Sequence, residues 1–219
     1  MTTVKARHLL FVLLLLEHGK QTASTLGQWM AVHPRTVSRH AADLGEIRIK
    51  VRTLKGAHGG FVLDPSARVR LSSFIHSGVG RGSAAAMDEL QLRLEMRAII
   101  EALPAELRPG VHARLDELVR DDVPAGVPPG QRAQHTTLRR ALWRNVRVTV
   151  LIRRPQAVAR WRAVDPLVVT CHRDVWYLFG FCTERQRMRV FDLNEIEDVT
   201  LLDQPAELPD ALDARRPAW

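Results

Sequence analysis

Apolar residues open the chain at helical spacing. Leu9 to Leu16 is almost uninterrupted, and the helix predicted over residues 5–18 ends at Gly19, a residue type suited to the left-handed position after a last turn. A helix apolar on all sides is buried on several of them, so this one belongs to a core. Leu26, Trp29 and Met30 then fall at i, i+3 and i+4, marking a short second helix that Thr22 or Ser24 can cap. A third begins at Pro34, whose missing N–H suits a first helical position, and carries Val37, Ala41 and Leu44 on one face. After it the period becomes that of a strand. Ile47, Ile49 and Val51 alternate with Arg48, Lys50 and Arg52, which predicts three aliphatics inward and three cations outward. Lys55-Gly56-Ala57-His58-Gly59-Gly60 is a turn-forming tip, and Phe61-Val62-Leu63 returns as the second arm of a hairpin.

Farther along, Gly78, Gly80 and Gly82 among the serines of residues 72–85 predict a flexible joint. Leu90, Leu94 and Ile100, with Met96, Ile99 and Leu103, predict a helix ending near Pro104; Val111, Leu115, Leu118 and Val119 predict another. The Pro/Gly run at residues 123–130 is a boundary. A short helix over residues 136–145 turns Leu138, Leu142 and Trp143 inward and leads into strict alternation, with Val146, Val148, Val150 and Ile152 on one side and Arg147, Thr149, Leu151 and Arg153 on the other. Further strands are predicted over residues 158–163, 167–171, 175–182, 187–191 and 196–202. Six short strands joined by tight turns imply a small barrel or a strongly bent sheet, and the fold class is α+β.

Composition narrows the class. A chain of 219 residues, 46% hydrophobic, suits one or two globular domains, and two cysteines are too few for a disulfide scaffold, which points to a reducing, cytoplasmic compartment. Leu9–Leu16 is far short of the ~20 residues a membrane-spanning helix needs, so no membrane partner is expected. Lys5 and Arg7 ahead of that run, with Thr22-Ala23-Ser24 after it, also fit a secretion signal; the apolar region is short for one and cleavage removes the three-helix pattern, so the segment is read as retained. Charge is more informative. The net +8 divides into +7 over residues 1–70, −3 over 71–130, +9 over 131–164 and −5 over 165–219. Two separate basic regions imply two separate jobs.

The first basic region has chemistry suited to nucleic acid. Opposite the apolar face of the third helix stand Arg35, Thr36, Ser38, Arg39 and His40, hydroxyls and cationic groups that fit phosphates and base edges, followed by Arg48, Lys50, Arg52 and Lys55 on the hairpin. An ordinary solvated face is the competing reading. Three helices and a glycine-tipped basic hairpin over about residues 4–64 resemble the bacterial winged helix-turn-helix regulators, a resemblance that implies double-stranded DNA as partner, with the third helix in the major groove. His33 stands at the N-cap of that helix, where Ser, Thr, Asp or Asn is usual.

Toward the C-terminus, Ala163-Val164-Asp165-Pro166-Leu167, Trp176-Tyr177-Leu178-Phe179-Gly180-Phe181-Cys182 and Arg189-Val190-Phe191-Asp192-Leu193-Asn194-Glu195-Ile196 resemble, in that order and spacing, the signature of the WYL domain. With the winged helix, the resemblance spans about residues 4–204. It implies a transcriptional regulator with a winged helix-turn-helix at residues 1–66, a helical connector at 67–130, an Sm-like β-barrel sensor at 131–204 and a tail at 205–219. The implied effector is single-stranded nucleic acid or another anion, in DNA-damage or phage-defence settings. Arg153, Arg162, Tyr177, Phe179, Arg187 and Arg189 are the candidate effector-binding residues, since aromatic rings among guanidiniums stack bases and neutralise phosphates. The alternative is barrel core with arginines reaching outward. Asp192 and Glu195 stand where the family often has arginine, which opposes an anionic ligand. The sequence ends at Trp219 without the family's usual further extension, so a homodimer is expected to form through the first helix, the connector or the barrel.

Enzyme signatures are missing: there is no Walker A loop, no Gly-x-Gly-x-x-Gly, no His-Glu-x-x-His and no Gly-x-Ser-x-Gly. Cys171 and Cys182 read as core thiols, and the histidines show no metal-ligand spacing. A non-enzyme without cofactor or metal is therefore expected; an accessory nucleic-acid binder without promoter specificity is the alternative to the regulator.

Overall fold

The computed structural model describes residues 2–56, 59–67, 83–120, 123 and 126–207. The joint expected over residues 72–85 lies outside the described residues up to 82, as do Ala57 and His58 of the hairpin tip and the tail beyond 207. The chain divides into two compact units, residues 1–78 with 88–121, and residues 79–87 with 122–219.

In the first unit, helix α1 (Thr2–His18) buries every residue from Leu9 to Leu15, and Gly19 ends it at φ +67°. Helix α2 (Ala23–Trp29) is capped by Thr22, whose Oγ1 accepts from the Thr25 N–H at 3.1 Å. Helix α3 (Pro34–Glu46) buries Val37 and Leu44. His33 is a working N-cap there: its Nδ1 accepts from the Arg35 N–H at 3.2 Å. Where α2 turns toward α3, Gly27 allows a backbone approach that a side chain blocks, since a Cβ there meets the Val32 carbonyl oxygen at 2.7 Å. Alanine is the better helix former by ~1 kcal/mol. The overlap is with backbone rather than a movable side chain, so Gly27→Ala is expected to be net destabilising, by about 1–3 kcal/mol in urea denaturation.

Strand β1 (Val51–Leu54) pairs antiparallel with β2 (Gly60–Leu63). It starts later than the sequence pattern predicts. Residues 47–49 instead form a helix stop, with Arg48 left-handed at φ +62°, its N–H bonded to Gly45 O and the Ile49 N–H bonded to Leu44 O. Ile49 is buried, while Ile47, predicted inward, is 47% exposed. The hairpin is anchored by reciprocal backbone bonds between Gln21 and Phe61, and Phe61 packs edge-on against Phe11. Helix α4 (Ser83–Glu101), from Asp88 on, and α5 (Arg108–Arg120) complete the unit, burying Met96, Ile100, Val111, Leu115 and Val119. Arg114 on α5 bridges to Glu17 on α1 at 2.8 Å.

The second unit packs helix α6 (Arg132–Arg144), with Leu138, Leu142 and Trp143 buried, on a sheet of five antiparallel strands. These are β3 (Val146–Ile152), β4 (Arg160–His172), β5 (Val175–Cys182), β6 (Arg187–Asp192) and β7 (Ile196–Pro205), in the order β6-β5-β4-β3-β7. Two predictions are corrected. The strands expected at 158–163 and 167–171 are one strand, because the chain makes a register shift between Pro166 and Val168 rather than a turn; Pro166 has no N–H to donate there. The barrel does not close either, since β6 and β7 end the sheet and do not pair among the described residues. Trp176, Leu178, Phe191, Ile196 and the free thiols Cys171 and Cys182 share its core.

Candidate nucleic-acid interface and ligand cleft

On α3, Arg35, Ser38 and Arg39 are exposed and Thr36 is half-buried. Arg48, Lys50, Arg52 and Lys55 are exposed where the chain leaves the helix and runs through the hairpin. These six cations have no ion-pair partner among the described residues. Their charge is therefore available to phosphates. His40 does not belong to this face. It is 4% exposed, packed at right angles on the His8 ring 4.8 Å away, because the i, i+3 step from Val37 carries it to the apolar side.

The second unit contains a cleft of about 350 Å3, floored by Ile152 and Phe191 and ringed by Arg154, Arg160, Arg162, Arg185 and Arg189. Strand register assembles it. Ile152 pairs with Arg160, Val150 with Arg162, and Gly180 with Arg189, so these side chains share the face that carries Leu178 and Cys182. The Arg189 guanidinium lies 5.9 Å from the centre of the Phe191 ring. Arg162 bonds Glu184 at 2.8 Å and Arg154 bonds Glu195 at 3.0 Å. Arg160, Arg185 and Arg189 have no ion-pair partner among the described residues, which leaves the cleft cationic.

Four of the six residues proposed from sequence for this site lie elsewhere. Tyr177 and Phe179 pair with Asp192 and Val190, on the sheet face opposite Arg189. Rings and guanidiniums therefore do not meet across β5 and β6. Arg153 is engaged by Glu197 on β7, and Arg187 is exposed at the end of the β5–β6 hairpin without lining the cleft. Arg162 and Arg189 do line it. Of the arginines the sequence did not single out, Arg160 was within reach, since period-2 spacing puts it beside Arg162; Arg154 and Arg185 sit in connections that carry no period. The two acidic departures are also placed. Asp192 accepts from the Asn194 N–H at 2.8 Å and caps a short 3-10 turn, while Glu195 neutralises Arg154.

Among the described residues no helix is long and apolar enough to cross a membrane. Residues 133–201 match the WYL domain. Over 204 residues the chain is 20% identical to the uncharacterized HTH-type transcriptional regulator YobV of Bacillus subtilis, a match that takes in 90% of this chain and 65% of that protein. Among solved structures, the proteasome accessory factor B/C (PafBC) of Arthrobacter aurescens aligns with all of this chain and 35% of its own, at 13% identity and a TM-score of 0.38. The WYL match thus falls on the second unit, running from helix α6 into strand β7.

Proposed function

We propose that this protein is a sequence-specific, DNA-binding transcriptional regulator whose first unit is a winged helix-turn-helix. The reading rests on one observation above all: a hydroxyl- and arginine-bearing face of α3 continues into the cations of the hairpin, with none of those cations neutralised among the described residues. Helix α3 reads base edges in the major groove and the hairpin touches backbone. The similarity to an HTH-type regulator supports the same reading. The arginine cleft takes an anionic effector, and its volume is at the small end of the ~300–1,000 Å3 of ligand sites, enough for one nucleotide-sized group. Effector occupancy alters operator affinity in a homodimer.

Genomic footprinting tests the main reading. Discrete palindromic sites are expected, and diffuse or single-stranded enrichment overturns promoter specificity in favour of an accessory nucleic-acid binder. On a footprinted duplex, Arg39→Ala is expected to cost roughly 1–3 kcal/mol selectively at its cognate base. Lys55→Ala is expected to weaken all sequences alike and to flatten the salt slope by about one. Equal losses for Arg39→Ala on specific and random duplexes reject Arg39 as a base reader.

A further inference from the structure

We propose that His8, His40 and Asp43 form a binding site for a first-row divalent metal ion, zinc being the best fit, that clips α3 to α1. His8 comes from α1, while His40 and Asp43 stand one turn apart on α3. Their ligand atoms all lie within 4.8 Å of one another, and His8 Nε2 is 3.2 Å from Asp43 Oδ2. A metal held at ~2.0–2.2 Å by each of three ligands needs separations of roughly 3.3 Å in tetrahedral geometry. Small side-chain rotations close the remaining gap.

His40 is the strongest pointer. It is buried, yet neither ring nitrogen has a hydrogen-bond partner, an arrangement that interiors ordinarily avoid. A metal on one nitrogen gives this ring a use for its lone pair. Burial lowers the pKa of both imidazoles, for His40 to about 4, which favours the neutral form that ligates. Two imidazoles and one carboxylate are the donor set of borderline divalent ions rather than of calcium or magnesium. Asp43 is partly exposed, so water can reach the fourth position. Arg7 and Arg39 place positive charge nearby and oppose the ion, which weakens its binding.

The consequence lies one turn from Arg39, on the same helix. Metal occupancy fixes the helix that carries Arg35 and Arg39, so the metal acts as a stabilising clip for the exposed basic face.

The test uses the full-length, untagged chain stripped of metal. Calorimetric titration with Zn2+ is expected to show one site, Zn2+ to raise the melting temperature, and Co2+ to give the intense visible absorption of a tetrahedral centre. Asp43→Asn and His40→Gln are each expected to weaken Zn2+ binding at least tenfold and to remove the Co2+ band. If His40→Gln fails to fold, the partly exposed Asp43→Asn and the wild-type Co2+ spectrum decide the matter. No binding by the wild-type chain overturns the proposal. So does binding that Asp43→Asn leaves unchanged, since the ion then sits on other histidines.

Discussion

Replacing Arg147 with Met is expected to destabilise the second unit by about 3–5 kcal/mol, more than replacing its partner Asp165 with Ala. Arg147 on β3 donates through Nε and Nη2 to the two oxygens of Asp165 on β4, at 2.7 and 2.9 Å, and these bonds hold the guanidinium above its ordinary pKa. The two ends of the pair differ in their access to water. The Asp165 side chain is 1% exposed, whereas that of Arg147 is 20% exposed. Removing Arg147 therefore strands a carboxylate with no route to solvent, while removing Asp165 leaves a guanidinium that can turn outward. Met keeps the packing of the arginine stem, so the measured loss reports charge rather than volume. Replacing both residues at once, Arg147→Met with Asp165→Leu, should recover most of the stability. Native-state hydrogen exchange at the β3 and β4 amides of the full chain resolves this unit from the other. A cost below about 1 kcal/mol for Arg147→Met contradicts the buried-pair account.

That ion pair shows where sequence reading stops. Period-2 alternation correctly separates Arg147 from Val148, and the resemblance to the WYL signature marks Asp165 as part of a motif. Nothing in the period says that the pairing of Val148 with Val164 brings the two charges together. The same limit explains the aromatic residues of β5. Alternation puts Trp176 and Leu178 on the core side and Tyr177 and Phe179 on the other, as the structure has it. Which face of β6 carries Arg189 depends on the turn between Cys182 and Arg187, which sets the register without leaving a periodic trace. Helical spacing was more generous: Gly19, Pro34 and the faces of α3, α5 and α6 are all legible. His40 is the exception on α3: its polarity suits the exposed face, while its position three residues after Val37 puts it on the buried one. The hairpin starts later than the pattern predicts because an arginine occupies the left-handed helix-stop position usually given to glycine, so the alternation of residues 47–52 looks like strand throughout.

Reversing charge at Arg160 and Arg189 together is expected to weaken binding of a short single-stranded oligonucleotide by at least a hundredfold. Each lost charge-assisted contact is worth about 1.5–3 kcal/mol, and reversal adds repulsion, so two sites give roughly 3–6 kcal/mol before any coupling between them. These two arginines are the informative pair because neither is ion-paired among the described residues. Arg162→Glu, by contrast, orphans Glu184 and sets like charge beside it. The Arg189 contact with Phe191 is worth at most about 1 kcal/mol at a partly exposed site, too little to confuse the result. The other basic surface is the real competitor for a polyanion, so anisotropy is measured in an Arg35→Ala, Arg39→Ala background at one fixed salt concentration. Tyr177→Leu and Phe179→Leu supply the opposing expectation. Both side chains lie across the sheet from the cleft, and both variants should bind as the parent does. Loss of affinity in those two, with none on reversing Arg160 and Arg189, moves the effector to the outer face of β5. It also makes the aromatic surface beside the exposed Met188 and Val190 the sensing element instead of the arginine cleft.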